Sequence, residues 1–174
     1  MDTNLTKLKL PKVQLEIDPY NLQRFIDAQD KGYKHGCSLF DGYIELKNEG
    51  TKTKHWIWYG FPQLLGIKKN ATNKAVTGIA KKFSLENFLE AKAYYRESTQ
   101  LKPNLITLTK LVRKICNGGK TLYEVVKSDN VKFVSSMTLF LIVSMFFNDK
   151  QGELFFIGVL NDTNYKKLCP HTIS

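Results

Sequence analysis

The sequence predicts an all-α protein, a compact single-domain multi-helix bundle around a buried central helix at about 129–147. Three observations predict it. Apolar residues recur at helical spacing in segment after segment, and most segments carry a capping residue or proline at the start or a glycine at the end. One stretch, Met137 to Phe147, is apolar nearly all round, as a helix enclosed by other helices is. Strand-like alternation is confined to Val13, Leu15 and Ile17, in a lysine-dotted arm (1–17) ahead of a single helical domain expected over 18–170. A chain of 174 residues is one domain by length.

Taken in order, Asp18-Pro19 is a helix start, with aspartate as N-cap and proline at the first helical position. Leu22, Phe25, Ile26 and Tyr33 follow at helical spacing. Cys37 to Lys47 predicts a second helix, apolar at Leu39, Phe40, Tyr43, Ile44 and Leu46 and ending at Asn48-Glu49-Gly50. Residues 55–63 read as extended or as a short irregular element, because Pro62 holds Phe61 away from helical angles. After a basic stretch from Lys68 to Lys82, Ser84 is expected to cap a helix carrying Leu85, Phe88, Leu89 and Tyr95. Pro103 is expected to open the next, with Leu105, Leu108, Leu111, Val112 and Ile115, stopped at Asn117-Gly118-Gly119. Thr121 to Lys127 adds a turn or two, Ser128 caps the central helix, and Gln151–Leu160 and Asn161–Leu168 close the fold.

The net charge of +10 favours encounters with polyanions, nucleotides or anionic surfaces. Cys37, Cys116 and Cys169 are too widely spaced for a zinc site, and His35, His55 and His171 do not complete one, so no metal and no cofactor are expected. A reduced, cytoplasmic chain is the simplest reading. Met1 to Leu10 lacks a signal-peptide core, and Met137 to Phe147 is too short to span a bilayer, so no membrane partner is expected. The oligomeric state is left open.

Several polar residues fall where chemistry is possible. Asp129, Lys132 and Ser136 share a face of the central helix at i, i+3 and i+7, with Ser135 beside them. A lysine buried there can act as a base toward a hydroxyl. Alternatively, Asp129 simply pairs with Lys132 at the helix start and the serines bond to carbonyls one turn back. Gln29 lies on the apolar stripe of its helix, so it either bonds within the core or addresses a ligand, and Gln63 poses the same question. If 55–63 is extended, Trp56 and Trp58 share one face and form a platform for a flat ring, with His55 on the other face as a phosphate ligand or acid–base group; the alternative is core anchoring. Glu90 and Tyr94 share a helix face opposite the apolar stripe, either as a solvated face or as a pocket element. Lys68, Lys69, Lys74, Lys81 and Lys82 form a basic patch, solvated or in contact with nucleic acid.

Four blocks occur in order: Arg24-Phe25-Ile26-Asp27-Ala28-Gln29 with Tyr33; His55-Trp56-Ile57-Trp58-Tyr59-Gly60-Phe61-Pro62-Gln63; Glu90-Ala91; and Asp129-Asn130-Val131-Lys132-Phe133-Val134-Ser135-Ser136-Met137-Thr138-Leu139-Phe140. Together they resemble the small bacterial and viral proteins grouped as domain-of-unknown-function family eighteen-ten, over roughly residues 20–165. The resemblance implies an all-α single domain and no established activity. Relatives follow Phe-Pro-Gln with a Gly-Leu-Gly-x-Ser-like turn, which is altered here to Leu64-Leu65-Gly66-Ile67-Lys68-Lys69. By fold-level analogy alone, such a domain invites comparison with small α-helical glycosidases acting on ADP-ribosyl derivatives.

The reading that follows is a pocket protein that binds or hydrolyses a nucleotide- or ADP-ribosyl-type small molecule. Glu90, Asp129 and Lys132 are the candidate catalytic groups, and Gln29, His55, Trp56, Trp58, Gln63, Ser135 and Ser136 the candidate ligand contacts. The runner-up is a non-enzymatic module that binds protein or nucleic acid through its basic surface.

Overall fold

The computed structural model describes residues 17–65 and 78–163. Among the described residues the regular structure is helical apart from one two-stranded ribbon, in agreement with the all-α expectation. Helix α1 (Gln23–Lys31) begins later than Asp18-Pro19 suggests, because Asn21 takes a left-handed conformation (φ 52°) and turns the chain first. Asp18 still serves as the cap at a distance: its two oxygens accept from the Leu22 and Gln23 amides at 2.6 and 2.7 Å. Helix α2 (Leu39–Glu49) is capped by the Ser38 hydroxyl and ends at Gly50, starting and ending two residues later than the expected Cys37–Lys47.

The aromatic segment is not extended. Residues 57–60 form a single helical turn, α3 (Ile57–Gly60), with Trp56 at its N-cap. The chain then straightens at Phe61 into β1 (Gln63–Leu64), which pairs in parallel with β2 (Ser84–Leu85), Gln63 opposite Ser84. Ser84 is therefore a strand residue and not a helix cap. After α4 (Gly78–Lys82) and β2, the cap of α5 (Phe88–Arg96) is Asn87, whose side chain accepts from the Glu90 amide. Helix α6 (Leu101–Asn117) starts two residues before Pro103, with the Ser98 hydroxyl accepting from Gln100 and Leu101; proline in the first turn gives up no intrahelical bond.

Helix α7 (Leu122–Val126) opens with a reciprocal Thr121–Glu124 capping box. A 3-10 turn (Lys127–Asp129), entered at Lys127 with φ 56°, joins it to the central helix α8 (Asn130–Phe146), so Ser128 lies inside that turn and caps nothing. Helix α9 (Lys150–Asp162) is capped by Asp149 and returns along α8. The last turn of α9 takes in Asn161 and Asp162; a closing helix reaching Leu168, like the 1–17 arm up to residue 16, falls outside the described residues.

Helix α8 packs against α5, α7, α9 and β1. Edge-on aromatic contacts tie Phe61 to Phe133 (4.8 Å) and Phe25 to Tyr94 (5.2 Å), while Tyr94 meets Phe140 at 5.4 Å. The helical run Leu122–Phe146 is, by length and apolar content alone, long enough to cross a membrane, but it is interrupted by the 3-10 turn and 61% of its most apolar window is buried inside the domain. It is the core helix of this fold.

Trp56 reaches the core only because α2 carries Gly42 beneath it. A Cβ at Gly42 would lie 2.7 Å from the indole Cδ1 and Nε1. Alanine is preferred to glycine inside a helix by about 1 kcal/mol, whereas overpacking costs roughly 1–3 kcal/mol. Gly42→Ala should therefore lose about 1 kcal/mol net and lower the Tm in a thermal melt. A Tm at or above that of the parent protein would mean that the indole shifts freely.

Candidate functional site

The site is built around two carboxylates. Glu45, on the buried face of α2, organises the loop that leads into the tryptophans. Its Oε1 accepts from the Thr53 amide (3.0 Å), the Thr53 hydroxyl and the Lys54 amide (2.9 Å), and its Oε2 from the Trp56 indole (3.1 Å). Burial pushes the Glu45 carboxyl up, but these four donors outweigh it and hold it below the ordinary carboxylate range. The loop so fixed places Lys52, whose amide donates to the Val125 carbonyl at 2.7 Å and whose side chain is 7% exposed.

Asp129 lies between two lysines. Its Oδ2 is 2.7 Å from Lys52 Nζ and its Oδ1 is bonded to Lys132. Burial raises the Asp129 carboxyl, and the hydrogen bonds from Lys132 and Lys52 more than reverse that, so it stays below its usual value. The Lys132 ammonium stands 4.5 Å from the centre of the Trp58 ring, and Lys52 is 5.7 Å from that of Trp56. The Asp129–Lys132 pair read from the spacing is thus present, with a second cation that the sequence reading missed.

The indoles do not share a face. Two residues along a helical turn are about 200° apart around the axis. Trp56 is fully buried, while Trp58 is half-buried and sits under Lys132. The two-indole platform is thereby replaced by one indole in the core and one at the site. His55 is exposed at the start of this turn.

Behind the cluster, β1 packs on α8. Phe133 meets Phe61 on this side, and Ser136 lies one turn further along the same face. The Ser136 hydroxyl and the Gln63 side-chain amide nitrogen are both buried without a hydrogen-bond partner, a rare condition for polar atoms. Ser135 is also buried. Bonding to a carbonyl one turn back, the alternative foreseen for the serines, occurs at Thr138 and Ser144 and not at Ser136.

Two candidates stand apart from this cluster. Gln29 is saturated within the core: its amide nitrogen donates to the Tyr59 carbonyl (2.9 Å) and the Tyr94 hydroxyl (3.3 Å), and its oxygen accepts from Asn104 (2.8 Å). Glu90 and Tyr94 are buried and do not form a solvated face: Arg24 of α1 comes across to meet Glu90 at 2.5 Å, and Leu89 takes the solvent side. The second Glu90 oxygen accepts from the Glu86 amide at 2.6 Å. Arg24 also donates to the carbonyls of Tyr20, Asn21, Lys82 and Ser84. This pair lines a cavity of about 570 Å³ together with Lys81, Lys82 and Ser84. Arg24 meets Ser84 of β2, and β2 pairs with β1, which packs on α8.

Lys52, Glu45 and Arg24 are the organising residues that sequence reasoning did not single out. Glu45 left a trace: an acid on the apolar face of α2, one residue before Leu46. Lys52 left none, since its partner is 77 positions away in the chain. Of the basic stretch, Lys81 and Lys82 end α4, while Lys68, Lys69 and Lys74, with the altered turn at Gly66–Lys69, fall outside the described residues. Among the described residues, no group of three or more His, Cys, Asp or Glu side chains converges as metal ligands would.

Comparison with known proteins agrees with this fold. The crystal structure of a conserved hypothetical protein from Mycobacterium tuberculosis is similar at 27% identity with a TM-score of 0.69, over 90% of this chain and 96% of that one. No curated protein matches. The family described as "Protein of unknown function (DUF1810)" matches residues 19–166. The chain belongs to that family, as its four sequence blocks implied.

Proposed function

We propose that the protein binds a nucleotide-like small molecule, of the ADP-ribosyl type, at the Lys52–Asp129–Lys132–Trp58 cluster. The observation that carries this reading is the Lys132 ammonium held over a half-buried indole by a carboxylate that a second, buried lysine already neutralises. Lys52 takes one Asp129 oxygen and Lys132 the other, which sets the Lys132 ammonium beside a flat apolar surface. That combination suits a ligand with both a phosphate and an aromatic base. Trp58 takes the base, Lys132 the phosphate, and His55 lies at the exposed edge. Gln63 and Ser136 supply buried hydrogen-bonding capacity that the protein itself leaves unused.

The same geometry favours binding over acid catalysis. Asp129 is kept ionised by its two lysines, so at neutral pH it has no proton to give. In a hydrolytic version of this reading, its role is to stabilise positive charge developing on a ribosyl carbon. Glu90, gripped by Arg24, stands in a separate cavity wall.

Calorimetric titration with ADP-ribose, NAD, ATP and adenosine is the test. The phosphate-bearing ligands should bind saturably, and Lys132→Ala or Trp58→Ala should weaken binding at least about tenfold, or 1.4 kcal/mol, with the circular dichroism spectrum unchanged. Absence of binding by all four ligands would remove this reading.

A further inference from the structure

A separate cleft lies between α6 and α9, and we propose that it binds a small amphipathic anion: a carboxylate or phosphate head on an apolar body. Helix α6 presents Lys102, Ile106 and Lys110 as one stripe at i, i+4 and i+8, which spans about 12 Å along the helix. Helix α9 packs alongside and contributes Phe155 from its first turns. Between them is a cleft of about 300 Å³ floored by Tyr95 and Asp149.

The floor is fixed and electrically spent. Asp149 accepts from the Tyr95 hydroxyl and from Lys102 at 2.8 Å each, and from the Gly152 amide at 3.0 Å. Lys102 also stands 3.9 Å from the centre of the Tyr95 ring. A Cβ at Gly152 would come within 2.4 Å of the Tyr95 hydroxyl, so glycine is what lets α9 begin this close to the phenol. The hydrogen bond from Lys102, followed by that of the Gly152 amide, draws the Asp149 carboxyl down to about 2. Lys102 and Asp149 therefore cancel across the whole neutral range.

Lys110 is left over. It is exposed and has no partner among the described residues. The cleft thus carries one uncompensated positive charge at one end, with Ile106 and Phe155, both half-buried, as apolar walls beside it. A neutral apolar molecule leaves the Lys110 charge unmatched, and a simple inorganic anion leaves the walls wet. A molecule with both an anionic head and an apolar body satisfies both. The size fits the small end of ligand pockets.

Titration of the full chain with octanoate, phenyl phosphate and octanol, followed by ligand-observed saturation-transfer NMR and calorimetry, tests this. Octanoate, phenyl phosphate or both should bind saturably, octanol should bind at least about tenfold more weakly, and the preference between the two anions identifies the head group. Lys110→Glu and Ile106→Lys should each weaken octanoate at least about tenfold, whereas Lys132→Ala should leave octanoate binding unchanged. The assignment is overturned if neither anion saturates, if octanol binds as tightly, or if the Lys110 and Ile106 variants bind like the parent. Loss of binding in Lys132→Ala alone would instead place these anions at the other cluster.

Discussion

Glu45→Ala is expected to destabilise the domain by about 3 kcal/mol or more, because it strips four donors of a buried acceptor at once. The Thr53 and Lys54 amides are near the surface and regain water. The Trp56 indole does not, since the ring is fully buried between Gly42 of α2 and Phe61. An unpaired buried donor costs about 1–3 kcal/mol by itself. Lys52 also loses its seat, and with it one of the two partners of Asp129. Denaturant unfolding followed by tryptophan fluorescence should show a lower midpoint for Glu45→Ala, and a smaller loss for Glu45→Gln, which keeps an acceptor oxygen. A Glu45→Ala midpoint within about 1 kcal/mol of the parent would mean that the loop is held by something else.

The pH dependence has a definite sign. The folded carboxyl of Glu45 lies below its unfolded value, which is about 4.3. Its contribution is therefore fully present above that value and fades as the pH falls through the lower, folded one. The parent protein should lose stability on acidification in this window, and Glu45→Gln should lose less.

Glu90→Ala is expected to cost about 3–5 kcal/mol, the range for removing one member of a buried ion pair. The Arg24 and Glu90 side chains are 11% and 3% exposed, and Arg24 binds four carbonyls besides, so it cannot follow its lost partner out to solvent. The double variant Arg24→Met with Glu90→Leu should recover part of the loss, as apolar replacements of buried pairs do, although the four carbonyls then lose a donor. A Glu90→Ala protein that melts with the parent yet loses ligand binding would reassign Glu90 from the scaffold to the site.

What the sequence made legible was set by local periodicity. The stripe of α1 located Phe25, Ile26 and Gln29 in the core, and the apolar run of α8 identified the enclosed helix. The i, i+3 spacing of Asp129 and Lys132 gave their pairing, since one helical turn fixes it. What stayed hidden was decided at long range. Residues 55–63 fit neither period, and Glu45, reaching across from α2, holds the segment's start in place. Ser84 looks like a cap until Gln63, 21 positions earlier, pairs with it. Spacing leaves Glu90 open between a solvated face and a pocket wall, and α1 decides it by delivering Arg24. In each case the deciding partner comes from another element, and spacing within one segment carries no record of it.

Asp129 occupies the N-cap position of α8 but gives no oxygen to its amides, because both are committed to lysines. A capping bond is worth about 1 kcal/mol, so the innermost helix of the domain starts with that reserve unclaimed. Robustness and readiness compete for a single carboxylate here. A guest that drew Lys132 away would release one Asp129 oxygen beside the first turn of α8.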